Sequence, residues 1–248
     1  MSRSRLDRWL VESGAFPTRA RAQAAVKAGL VRVEGVVADK SSALVADGAE
    51  VSIAGAAHPY VSRGGVKLAA ALDAFVLEPA GAICLDLGAS TGGFTDVLLR
   101  AGAAKVYAVD VGTGQLHPSL AADRRVVNLE RTHAKDLGPA LIPETIGLLV
   151  CDVSFIGLRK ALPPAMALCG AGARLVALVK PQFELGPGRV GKGGLVAAPA
   201  SEIAALLGGI RAFFEAEGWR VAGLIDSPIA GGDGNREHLL GAIKTGRS

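Results

Sequence analysis

Read for the alternation of apolar and polar positions, the chain falls into two zones. Residues 1–57 read as helix, helix and then short strands. RLDRWLVESG puts Leu6, Trp9 and Leu10 on one helical face, with Gly14 as its stop. TRARAQAAVKAG begins at a capping Thr18 and ends at Gly29. LVRVEGVVAD holds two strand-like runs around Glu34-Gly35, a hairpin signal, and AEVSIAG is a further strand. From about Gly64 the pattern alternates between strand and helix. Strand-like runs cover 83–88, 105–112, 126–130, 146–154, 174–180 and 219–229, with a last run at 237–245 to close the sheet. Helical stretches lie between them, the clearest over Ser201–Glu217. This order predicts a doubly wound α/β sheet behind a small α+β domain. HPYVSRGG, with proline, glycine and little periodicity, predicts a hinge. The expected division is 1–57, a linker at 58–63, and 64–248.

Composition adds a core and removes some function classes. Half of the 248 residues are hydrophobic and 33 are glycine, which suits close-packed α/β layers. Cys84, Cys151 and Cys169 lie in or beside apolar runs without a C-x-x-C pair, so they read as buried free thiols of a reducing cytosol. MSRSRLDRWL has no apolar secretion region, and the apolar window 161–179 is broken by Pro163, Pro164, Gly170, Gly172 and Arg174. A cytoplasmic protein with no membrane partner is expected. The four histidines are scattered without ligand spacing, so no metal is expected. Charge is uneven. Residues 1–32 carry seven basic side chains against two acids, a net +5 within a total of +4. A basic end on a near-neutral body points to a polyanion, with a solvated helix face as the plainer reading.

Candidate chemistry gathers at predicted strand ends. LDLGASTGGFTDVLLRAG is a strand, a glycine-rich turn and a helix, in which Gly88, Gly92 and Gly93 let backbone approach a ligand. Asp110 ends the next strand, where an acid can accept ribose hydroxyls. Nicotinamide and S-adenosylmethionine enzymes share this architecture. Strict G-x-G-x-x-G is absent, and Asp86-x-Gly88-x-Ser90-x-Gly92 is similar to the first motif of S-adenosylmethionine methyltransferases. GPGRVGKGG (186–194) nearly fits a phosphate loop, but Gly193 stands where a Ser or Thr hydroxyl would meet magnesium. It reads as a loop whose Arg189 and Lys192 could touch substrate phosphate, or as a plain flexible one. Asp152 and Lys180 end two further strands, so both should lie beside the cofactor at one sheet edge. Lys67 opens the first helix of the larger domain and Glu237 opens the last strand. A neutral lysine amine there could take a proton from a hydroxyl, with desolvation and a second lysine favouring the neutral form.

Two resemblances follow. Leu6-Asp7, Leu10, Gly14, Arg19-Ala20-Arg21, Ala24-Ala25, Gly29-Leu30-Val31, Val33, Gly35 and Val51-Ser52-Ile53 together resemble the S4-type RNA-binding domain. The order Lys67, Asp152, Lys180, Glu237 resembles the tetrad of FtsJ-like ribose 2′-O-methyltransferases. YVSRGGVKL, DLGASTGGFTDVLL, VGTGQL, LERT, DVSFI, LVKPQFE and SPI…GN-E resemble, in order, the TlyA family of rRNA 2′-O-methyltransferases, some labelled hemolysins. His133, Lys135, His238 and Tyr60 depart from its usual residues.

The resemblance implies a Rossmann-like methyltransferase sheet and S-adenosylmethionine as cofactor. It implies catalytic roles for Lys67, Asp152, Lys180 and Glu237. The cofactor would meet Gly88, Ala89, Ser90, Thr91, Gly92, Gly93, Phe94, Asp110 and Asp152. Ribosomal RNA or a ribosomal subunit would meet Arg3, Arg5, Arg19, Arg21, Lys27, Lys40, Arg63, Arg189 and Lys192. The family suggests a cytidine target, and the short stretch after Glu237 suggests large-subunit rRNA. No obligate protein partner is evident. The competing classes are a non-catalytic ribosome-assembly factor, against which the intact tetrad speaks, and a pore-forming hemolysin, for which no secretion signal, span or lytic helix is found.

Overall fold

Residues Met1–His58 and Pro59–Ser248 form separate units in the computed structural model. It describes every residue except 1, 2, 14, 17, 28, 47, 54–57, 192, 247 and 248, and not the side chains of Arg3, Ser52 and Pro187. The stop expected at Gly14 lies outside the described residues.

In the first unit, helices α1 (Leu6–Glu12) and α2 (Arg19–Lys27) pack through Leu6, Leu10, Ala22 and Val26. The Arg21 N–H reaches Thr18 Oγ1 at 3.4 Å, the expected cap in a long form. Strands β2 (Val31–Val33) and β3 (Val36–Val37) pair antiparallel, with Val33 opposite Val36. Glu34 and Gly35 between them both have positive φ (50° and 77°), as a two-residue hairpin turn requires. β5 (Val51–Ile53) pairs with the other edge of β2. The pattern did not reveal β1 (Arg3–Arg5), which pairs with β4 (Leu44–Ala46), because Arg-Ser-Arg carries no apolar position.

Asp7, fully buried, organises this unit. Its carboxylate accepts from Arg5 Nε and Nη2 (3.1 Å each), Arg19 Nη2 (2.9 Å) and Gln23 Nε2 (2.7 Å). The Arg5 hydrogen bonds, then that of Gln23, hold its carboxyl well below the usual carboxylate range.

In the second unit, α3 (Gly64–Ala74) precedes β6 (Ile83–Leu87), α4 (Gly93–Arg100), β7 (Lys105–Val109), α5 (Pro118–Ala121), β8 (Val126–Leu129), β9 (Ile146–Cys151), α6 (Leu158–Ala167), β10 (Cys169–Val179), α7 (Pro181–Glu184), α8 (Ala200–Ala216), β11 (Trp219–Asp226) and β12 (His238–Lys244). The seven strands form one sheet in the order β11-β12-β10-β9-β6-β7-β8. β6 to β10 run parallel, and β12 enters antiparallel between β10 and β11. The sequence's strand runs and its closing seventh are all present. Side chains alternate between two cores. Leu85, Leu149, Leu175 and Val179 face α6 and α8, while Cys84, Leu148, Val176 and Leu178 face α3 and α4. Phe75 explains two glycines facing each other across β11 and β12. A Cβ at Gly223 or Gly241 would come within 2.9 or 2.5 Å of its ring. All three cysteines are buried and free, their thiols pushed up to about 12 by burial.

The hinge expected at 58–63 needs correction from residue 60 on. The Val61 N–H donates to Asp96 Oδ2 at 2.9 Å, and Tyr60 and Val61 pack on the α3–α4 core. Their apolar side chains have a core to join, so the segment belongs to the larger unit rather than to a free linker.

Candidate active site

At the carboxyl edge of the sheet, β6 ends at Leu87 and the chain turns through residues 88–92 into α4. Gly88 has φ +88°, and a Cβ there would stand 2.6 Å from the Asp152 carbonyl oxygen. Gly92 is hemmed in by Leu116 and Leu120, and Gly93 by Ser62 Oγ. Their missing side chains let neighbouring protein segments close on the turn. The Phe94 side chain is 3% exposed and packs towards Gly64. Ala89 is buried, and Ser90 and Thr91 lie partly exposed between them.

Asp110, expected to meet ribose hydroxyls, already receives the Ser90 N–H (2.8 Å) and the Gly112 N–H (2.7 Å). It therefore shapes two loops, and each oxygen keeps a second lone pair for a hydroxyl. Ser90 Oγ to Gln115 Oε1 (3.1 Å) and the His117 N–H to the Thr91 carbonyl (3.2 Å) fasten the same loops. Glu130, not singled out in the sequence, accepts from Thr113 Oγ1, the Gly114 N–H and Asn128 Nδ2, which hold its carboxyl below its ordinary value. Ser90 (φ 47°), Arg131 (51°) and Phe155 (67°) hold left-handed backbone at this edge. Such strain collects where a site needs a fixed shape.

The four charged residues form two close pairs. Lys180 Nζ lies 2.6 Å from Asp152 Oδ1 and donates to Ser154 Oγ at 2.9 Å. Lys67 Nζ lies 2.5 Å from Glu237 Oε2. Lys67, Lys180 and Glu237 are 8%, 9% and 4% exposed. Register explains the convergence. Ala177 of β10 lies beside Cys151 of β9, and Val179 beside His238 of β12. Asp152 therefore follows the end of β9, Lys180 follows that of β10 and Glu237 directly precedes β12, while Lys67 comes from α3. Ser154 was legible in the sequence only as part of DVSFI. Phe155, one residue on, is 91% exposed and its ring lies 5.1 Å from that of Phe183. His238 Nδ1 meets Asp226 Oδ1 at 2.8 Å.

The expected RNA-binding residues divide. Arg21, Lys27 and Lys40 are exposed. Arg5 and Arg19 are not free cations, since both brace Asp7. The register of β1 fixes Arg3 opposite Ala46, and its side chain is not described. Arg63 Nη2 donates to the Ala230 carbonyl (2.8 Å), and Arg189 Nε pairs with Glu202 (2.8 Å). Lys192 lies outside the described residues. Among the described residues no group of three or more His, Cys, Asp or Glu is placed to hold a metal, and no helix is long and apolar enough to cross a membrane.

Behind the turn, Asp86 is fully buried. Its Oδ2 accepts from Thr95 Oγ1 (2.7 Å) and its Oδ1 has no partner. Burial pushes its carboxyl up to about 7, with the Thr95 hydroxyl opposing. A folded pKa above the unfolded one means that the native state holds the extra proton, so stability falls as pH rises from about 4 towards 7. Asp86→Asn should remove that slope. Its urea midpoint, measured against the parent's, should gain steadily with pH across this window; parallel profiles would contradict the assignment.

An FtsJ-like methyltransferase model matches residues 60–244, and an S4 domain model matches 4–51. The chain is 45% identical over 239 residues to the 16S/23S rRNA (cytidine-2′-O)-methyltransferase TlyA of Mycobacterium tuberculosis, spanning 96% of this chain and 89% of that one. A solved hemolysin-named structure from Streptococcus thermophilus superposes with a TM-score of 0.79 at 42% identity, covering 99% of this chain and 90% of that one. A Listeria monocytogenes structure named for S-adenosylmethionine dependent methyl transfer gives a TM-score of 0.53 at 13% identity, over 75% of this chain and all of the other (100%). That likeness is one of fold, the Rossmann-like methyltransferase sheet.

Proposed function

The chain belongs to the FtsJ-like methyltransferase family as a TlyA-like member with an S4 domain ahead of it, and on that basis we propose that it methylates a ribose 2′-hydroxyl, that of a cytidine, in ribosomal RNA. The observation that carries this reading is the meeting of the Lys180–Asp152 and Lys67–Glu237 pairs with the glycine-rich turn at one sheet edge.

The residues present fit S-adenosylmethionine. The unpartnered Asp86 Oδ1 and the carboxylate of Asp152 suit an α-amino group, and the spare lone pairs of Asp110 suit ribose hydroxyls. When bound, this cofactor supplies an electrophilic methyl on a sulfonium. A ribose hydroxyl is a poor nucleophile, so the protein has to take its proton. Asp152 Oδ1 lies 2.6 Å from Lys180 Nζ as a counter-charge without hydrogen-bond geometry. In its deprotonated form Nζ carries a lone pair and accepts the hydroxyl proton. Ser154 holds Nζ in place meanwhile, and Glu237 holds the Lys67 ammonium as a donor to the ribose. Positioning supplies much of the rate.

The proposed division of labour gives residues 1–57 the choice of target and 64–248 the catalysis. Reversing charge at Arg21, Lys27 and Lys40 tests it without disturbing Asp7. RNA affinity should fall, and its salt slope should flatten by about 0.7–0.9 for each phosphate that is no longer neutralised. An unchanged slope would make the basic end a solvated face. The reaction itself is tested by incubating full-length protein, S-adenosylmethionine labelled on the methyl, and unmethylated small or large ribosomal subunits. Label should enter rRNA, and the subunit that takes it names the target. Tight RNA binding without label would favour an assembly factor.

A further inference from the structure

Building on the ribose-methylating reading, we propose that Asn235 is a positioning residue. It fastens the glycine-rich strap that carries Arg189 to the turn presenting Glu237, so that Arg189 and Arg63 together hold phosphates of the target RNA.

Asn235 is 4% exposed, and both ends of its amide are used. Its Oδ1 accepts the Val196 N–H and its Nδ2 donates to the Gly194 carbonyl, each at 2.8 Å. One side chain thus offers a strap some forty residues away the donor and acceptor that a neighbouring strand would offer. The strap holds its own shape through the Val190–Val196 bridge, the Gly191 N–H to the Leu195 carbonyl (2.8 Å) and the Ala197 N–H to the Arg189 carbonyl (2.9 Å). Its link to the turn is this amide, with Leu195 resting near Gly234.

The turn is braced on two further sides. Gln182, two residues after Lys180, donates to Asp233 Oδ2 at 3.2 Å. Arg63, at the start of the helix that carries Lys67, donates to the Ala230 carbonyl at 2.8 Å. The Asn235 backbone closes the turn, its N–H donating to Asp233 Oδ1 (3.2 Å) and its carbonyl accepting from Gly231 (2.9 Å). Glu237 follows two residues later. One short turn therefore sets the places of Glu237, Arg63 and the strap. Arg63 and Arg189 are both exposed guanidiniums on segments fastened to it. Nε of Arg189 is engaged by Glu202, which leaves its terminal nitrogens for a partner. Guanidiniums fixed in register at the edge of a ribose site suit the phosphates that flank the reacting nucleotide.

The test uses the full chain with Asn235→Ala, the shape-conserving Asn235→Asp, Arg189→Ala and the Asn235→Ala/Arg189→Ala pair. Asp puts an acceptor against the Gly194 carbonyl and should act like Ala, so it carries the test if Asn235→Ala does not fold. Two readouts need no turnover: tryptic cleavage after Arg189 without RNA, and the Kd for deproteinised 23S rRNA. Each Asn235 variant should speed cleavage and raise the Kd by about tenfold. Arg189→Ala should weaken binding in the parent and add nothing in the Asn235→Ala background. Faster cleavage with an unchanged Kd would overturn the proposal, as would unchanged cleavage or additive effects of the two substitutions. A parent that binds rRNA but transfers no methyl would remove the proposed reaction, and these two readouts would still decide the role of Asn235.

Discussion

Lys180→Ala should lower methyl transfer by about a thousandfold while leaving S-adenosylmethionine affinity within a few-fold. Nζ of Lys180 is held by Asp152 at 2.6 Å and by Ser154 at 2.9 Å, and its side chain is 10% exposed. Water therefore has poor access to replace it as the proton acceptor. The substitution removes the acceptor but leaves the turn at 88–92 and Asp110 untouched. Asp152→Asn should also lower the rate, because an amide leaves the Lys180 amine without its counter-charge. Ser154→Ala should cost less, since it removes alignment and not the acceptor. Single-turnover rates at saturating cofactor and RNA check this series. Parent-like turnover by Lys180→Ala would take the lysine out of the mechanism.

The second large effect should come from breaking the Lys67–Glu237 pair. Its side chains are 9% and 3% exposed, so Glu237→Ala leaves an ammonium buried and unpaired. That should cost about 3–5 kcal/mol of stability as well as activity. Replacing both, as Lys67→Met with Glu237→Leu, removes the charges together and should recover most of the stability but none of the turnover. Urea unfolding and turnover on the parent and these two variants separate the two effects. A double variant that still methylates would make the pair structural, and a stable Glu237→Ala would mean that Lys67 finds water.

The strand runs at 83–88, 105–112, 146–154 and 174–180 were legible because each buries both faces and its apolar stretch gives way to a charge or a glycine. The closing β12 was legible as an apolar run, but its antiparallel entry between β10 and β11 was not, since direction is set by pairing rather than by composition. β1 escaped because Arg-Ser-Arg carries no apolar position, and β4 because Leu-Val-Ala does not alternate. Lys180, Asp152, Lys67 and Glu237 could be picked out as charges near element ends, yet their grouping into two pairs depends on the pairing of β9, β10 and β12 and on where α3 brings Lys67. The clasp roles of Asp110 and Asn235 were not legible at all. Each rests on backbone groups whose positions no side-chain pattern encodes. The same holds for Arg5 and Arg19, which look like free cations until the burial of Asp7 is seen.

Under the proposed reaction the methyl goes to a ribose oxygen. The direct measurement is digestion of rRNA methylated by the protein to nucleosides, followed by mass spectrometry of the labelled product. Label is expected in 2′-O-methylcytidine, present with the parent and lost with Lys180→Ala. Label on a methylated base, or label retained with Lys180→Ala, would contradict it.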